Sequence, residues 1–179
     1  MTENRNKILD VAKRIKLQAR FNNRNEQERI RKTIGDKISF LDPETTLALF
    51  NQINSSHIWH SSGQYSKFTS IEFEESFGDK LETIAKSFSD FSKTAGYCFP
   101  LNWFSSGVII IELSELMNRL NDYMFAFDDE IKFYTSDLTK VMHLTGDRSG
   151  TWDQLNELSI SVLGADWVKK VENLNVSSA

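Results

Sequence analysis

GVIIIELSELMNRLNDYMFAFDDEIKFYTSDLTKVMHLTGDRSG, Gly107 to Gly150, is the stretch around which the rest of the chain is organised. Its β-branched run Val108–Ile111 reads as a buried strand. Ser114 then caps a helix that carries Leu116, Met117, Leu120, Tyr123, Met124 and Phe127. A single helix starting at 108 also satisfies the apolar spacing, and the two readings stand side by side. After the acidic triplet Asp128-Asp129-Glu130 come two alternating runs, 131–135 and 140–145, separated by the turn residues Ser136-Asp137. They predict an antiparallel hairpin near 131–145. Ile131, Phe133 and Thr135 share one face, and Lys132 and Tyr134 share the other.

Outward from this centre the chain reads as largely helical. Upstream, Asp42-Pro43-Glu44 is a strong helix start, followed by the stripe Leu47, Phe50 and Ile53. Residues 66–73 are read as a strand, with a helix from Glu72 as the alternative. Gly78-Asp79 opens a helix with the stripe Leu81, Ile84, Ala85, Phe88 and Phe91, closed by Gly96. Pro100 argues against a central strand in YCFPLNWF, 97–104, which is expected to thread between layers. Downstream, 152–162 is read as a helix, and Asp166 as the cap of a last helix ending near Asn173.

The predicted fold is therefore α+β: a mostly helical single domain with a small antiparallel sheet and a basic N-terminal helical arm. The arm spans 1–37, either packed on the body or extending from it, and the α+β domain spans 38–179. No internal repeat breaks this organisation.

Charge divides along the same line. Residues 1–37 carry eleven Lys/Arg against five Asp/Glu, a formal +6, whereas the remainder carries ten against twenty, a formal −10. A basic arm on an acidic body implies either contact with phosphates or folding of the arm onto its own body. In the first case Lys13, Arg14, Arg20, Arg24, Arg29 and Arg31 supply the phosphate contacts, so nucleic acid would bind through residues 5–37. Only Phe21 offers a stacking platform near them.

The motifs exclude more chemistry than they support. The phosphate loop G-x-x-x-x-G-K-[ST], the dinucleotide turn G-x-G-x-x-G and the nucleophile elbow G-x-S-x-G are all absent. The single cysteine, Cys98, cannot form an internal disulfide and is read as a buried thiol. His57-x-x-His60 falls short of a zinc signature. Asp128 and Glu130, on one strand face, lack further oxygen ligands. No metal, cofactor or catalytic set is assigned, and a site built from scattered residues such as His143 with Asp128 or Glu130 is the residual enzymatic reading. The polar start MTENRNKILD and the lack of a long apolar run point to a cytoplasmic protein with no membrane segment.

An acidic, aromatic-rich body without a catalytic set is the composition of a stoichiometric inhibitor. The expectation is a non-enzymatic protein-binding module of the bacterial immunity-protein type, neutralising a basic toxin or nuclease. This is an analogy of composition. The surface nominated for the protein partner is Trp59, Asp128, Asp129, Glu130, Lys132 and Tyr134. The alternative is a nucleic-acid-binding regulatory protein that uses the arm. The oligomeric state is left open.

Overall fold

A computed structural model describes residues 23–56, 67–73, 77–148 and 154–177, together with Lys16. Lys13, Arg14, Arg20, His57, Trp59 and His60 lie outside the described residues. Among those described, the elements run α1 (Arg24–Ile34), β1 (Ser39–Phe40), α2 (Pro43–Ser56), β2 (Lys67–Glu72) and α3 (Phe77–Ser87). A short 3-10 turn (Ser89–Phe91) leads to β3 (Ala95–Pro100), α4 (Trp103–Ser106), β4 (Ile109–Glu112), α5 (Leu113–Asn118) and α6 (Leu120–Ala126). β5 (Glu130–Thr135), β6 (Val141–Asp147), β7 (Glu157–Leu163) and α7 (Ala165–Ser177) complete the order.

The expected small sheet in a mostly helical domain is corrected. The strands form one seven-stranded sheet in the order β1-β4-β3-β5-β6-β7-β2, with every neighbouring pair antiparallel. The β5–β6 hairpin is its middle. Two misread segments account for the difference. Residues 157–163 form β7, paired on both sides, because Leu158, Ile160 and Val162 alternate with Glu157, Ser159 and Ser161. The leucine and valine spacing there also fits a helix, and the period of two wins because both neighbouring strands need a partner.

The second is β3, a central strand between β4 and β5. Pro100 sits at its last pair, opposite Ile131, where the missing N–H disrupts little of the ladder. Gly96 is no helix cap but a strand residue under an aromatic ring. A Cβ placed there would stand 2.3 Å from the Tyr134 carbonyl oxygen and 2.4 Å from Phe133 Cζ.

One sheet face carries the main core. Cys98, Ile109, Ile131, Phe133, Met142, Leu144, Leu158, Ile160 and Val162 point into it, against α1, α3, α5, α6 and α7. Trp167 of α7 is fully buried there and meets Phe88 edge-on with centroids 6.1 Å apart. α1 belongs to this layer. Asn23 caps it by accepting from the amides of Asn25 and Glu26, and Gly35 closes it at φ +93°. Ile30 and Ile34 are buried, and the Gln27 side chain donates to the Ser106 carbonyl at 2.8 Å. On the opposite face, Leu49 and Ile53 of α2 form a second cluster with Phe99, Val108, Tyr134, Val141 and Leu163. Among the described residues no helix is long and apolar enough to cross a membrane.

The close approach at Gly96 makes a testable contrast. Gly96→Ala drives a methyl into a backbone carbonyl that cannot move, and should cost about 3 kcal/mol. Gly78→Ala, with open space around it, should stay within about 0.5 kcal/mol of the parent. Urea denaturation of the two variants checks both values.

Candidate functional site

Among the described residues, α2 packs over one half of the second face of the sheet. Cross-strand register arranges the other half in three rows, and directly opposed residues share a face. The first row is Lys132, His143, Ser161 and Phe68 on β5, β6, β7 and β2. The second is Glu130, Thr145, Ser159 and Ser70, and the third is Asp147, Glu157 and Glu72. Small hydroxyls fill the centre because the inward positions of these strands already supply the core. The charged residues on this face are the carboxylates of Glu72, Glu130, Asp147 and Glu157 against Lys132 and the titratable His143. Glu72 and Asp147 are exposed, and Phe68 stands 60% exposed at the edge strand.

Contacts within this face are short and local. Glu130 Oε1 lies 3.1 Å from His143 Nε2 and 3.3 Å from Lys132 Nζ. Ser70 donates to Glu157 and lies 3.4 Å from the Ser159 hydroxyl. Burial lowers the His143 pKa below its ordinary 6.5, and the nearby Lys132 ammonium lowers it further; Glu130 pulls the other way. At neutral pH the imidazole is therefore uncharged, and the rows keep a carboxylate excess.

Glu130 stays on this face, but the two aspartates before it turn elsewhere. α6 ends with Asp128 and Asp129 in the left-handed region, at φ +55° and +61°. The Asp129 amide reaches back to the Met124 carbonyl at 2.8 Å, a helix-closing bond of the Schellman kind. Aspartate tolerates this conformation better than most side chains. The turn aims the two carboxylates apart. Asp128 Oδ2 accepts from Asn102 at 2.9 Å and from Arg29 at 3.4 Å. Asp129 Oδ1 accepts from Arg148 Nε at 2.7 Å. The Arg148 side chain is 7% exposed and also donates to the side chain and carbonyl of Asn121, both at 3.2 Å.

Tyr134 is buried at 5% exposure under α2, edge-on to Phe99 at 5.3 Å. It shares a strand face with Lys132, but α2 covers its end of the strand and not the other. Arg29 donates to Glu26 at 2.7 Å and to the Ala126 carbonyl at 2.9 Å, and Arg31 lies over the Phe40 ring at 5.0 Å. Arg24 is exposed at the start of α1. The structure thus brings Glu130, Lys132 and His143 together and sends Asp128, Asp129 and Tyr134 to other surroundings. Glu72, Asp147, Glu157 and Phe68 join the same face from distant parts of the chain. The outward register of a strand at 66–73 was the only local signal for any of them.

Ser161 stands opposite His143, and His143 beside Glu130, but the amides of β6 and β7 are committed to the ladder and offer no oxyanion donors. Among the described residues no three His, Cys, Asp or Glu side chains group so as to hold a metal ion. Comparison with protein-family models, with curated proteins and with solved structures gives no match.

Two predictions separate structural charges from surface ones. Arg148→Met strands the Asp129 carboxylate and should cost about 3 kcal/mol in chemical denaturation, with part of the loss recovered in Arg148→Met/Asp129→Asn. His143 titrates lower in the folded chain than in the unfolded one, so its contribution is present above pH 6.5 and is lost as pH falls toward the folded value. The parent should therefore lose more stability than His143→Gln between pH 7.5 and 5.5, and the His143 ring should titrate below 6.5 by NMR.

Proposed function

We propose that this protein is a non-enzymatic binding module that docks a basic protein on the open half of its sheet. The reading rests on one observation. Among the described residues, these rows present four carboxylates and one lysine on a hydroxyl-lined surface with an exposed phenylalanine at its edge. A cationic partner is steered to such a face by long-range attraction and anchored by the aromatic ring. Neutralisation of a basic toxin or nuclease, one to one and in the cytoplasm, is the role that fits an acidic body with this surface. The arm-based nucleic-acid reading has less support, since Arg29 is engaged by Glu26, Asp128 and the Ala126 carbonyl and Arg31 by the Phe40 ring.

The test is affinity isolation from the native host with the full chain as bait, at low and at high salt, beside a Glu72→Lys/Asp147→Lys variant. Both substituted residues are exposed on the edge row, so the fold should persist. The expected result is one stoichiometric basic protein, retained by the parent at low salt, with association slowed about tenfold or more in the variant. Absence of a stoichiometric partner, or equal retention by the variant, overturns the reading.

A further inference from the structure

Among the described residues, the edge strand β2 pairs with β7 and with no strand on its other side. Six consecutive pairs, from Lys67↔Val162 to Glu72↔Glu157, run without a bulge, and the strand holds no proline. Edge strands commonly carry such interruptions, because their outward N–H and C=O groups can pair with another chain.

The ladder decides which groups face outward. Residues of an antiparallel strand alternate between bonding one neighbour and facing the other side. The Phe73 amide donates to the Asn156 carbonyl at 2.7 Å, and this pair continues the β2–β7 register by one step. Lys67, Thr69 and Ile71 therefore bond β7, while Phe68, Ser70 and Glu72 turn their backbone groups away from it. Lys80 Nζ donates to the Glu72 carbonyl, so the edge already draws a donor at one end. The side chains of the same three residues share the face of Glu157 and Ser159. Phe68 is 60% exposed there, and Ser70 and Glu72 are exposed beside it.

We infer that the basic partner binds by adding an extended segment to β2 as an eighth, antiparallel strand; this rests on the basic-partner reading above. Phe68 and Ser70 then each exchange a pair of backbone bonds with the residue opposite. The fitting segment carries a basic residue opposite Glu72, where Glu157 stands next in the row. It carries a small residue opposite Ser70 and a β-branched or aromatic one opposite Phe68. Backbone pairing supplies affinity, and the alternate side chains supply selection.

The experiment uses the full chain, labelled with nitrogen-15, and the blocked peptide Thr-Arg-Thr-Ser-Thr-Val-Thr, which sets its arginine, serine and valine at those positions. Two N-methylated forms keep the same side chains. Methylation at the serine and valine removes the donors aimed at β2. Methylation at the two threonines flanking the serine changes only N–H groups that face away. The parent peptide should shift the amides of Phe68, Ser70 and Glu72 most and slow their hydrogen exchange. The first methylation should weaken binding about tenfold or more, and the second should stay within about threefold. Ser70→Pro loses an N–H that the β2–β7 ladder does not use and should lose the peptide, whereas Ser70→Ala keeps that N–H and should retain it. No shift at millimolar peptide, shifts centred away from β2, or equal loss from the two methylation patterns overturns the proposal. A host protein captured by charge and indifferent to Ser70→Pro also overturns it, with the basic-partner reading left standing. Peptide pairing without any captured host protein fails that reading and leaves the strand site standing.

Discussion

Burial of the alternate residues of the central strands against a single helical layer is the constraint from which the rest of this structure follows. Antiparallel strands expose two faces, and a sheet seven strands wide needs cover for its apolar side. Here, among the described residues, α1, α3, α5, α6 and α7 pack on that side and α2 packs on part of the other. The close stacking of Phe133 on Gly96 ties β5 to β3 at the centre of the sheet. Once those strands are in register, every other strand finds its face by alternation.

The same constraint decides where the charges lie. Asp128, Asp129 and Glu130 are adjacent in the chain and separated in space, because two left-handed residues turn the backbone between helix and strand. Asp129 meets Arg148 in a nearly buried pair that fastens the end of β6 to α6. Asp128 meets Arg29 from α1, which joins a basic segment to an acidic one within a single fold. Only Glu130 reaches the open face. The charge asymmetry along the chain is thus partly cancelled by the Arg29–Asp128 pair.

Several features were determined by the sequence alone: the helix start at Asp42-Pro43, the β5–β6 hairpin with its Asp137 turn, and the buried Cys98. Each depends on neighbours within a few residues, through side-chain capping, strand alternation or the burial tendency of a thiol. The size of the sheet was not readable in this way. β7 and β3 satisfy helical spacing or carry a proline and a glycine, and only pairing with strands far along the chain makes them strands. The candidate site divides likewise. Glu130 and Lys132 follow from the hairpin, but Phe68, Ser70, Glu72, His143, Asp147 and Glu157 become one surface through register between strands far apart in the chain. The burial of Tyr134 was decided by where α2 ends over the sheet, a packing outcome that no local pattern encodes.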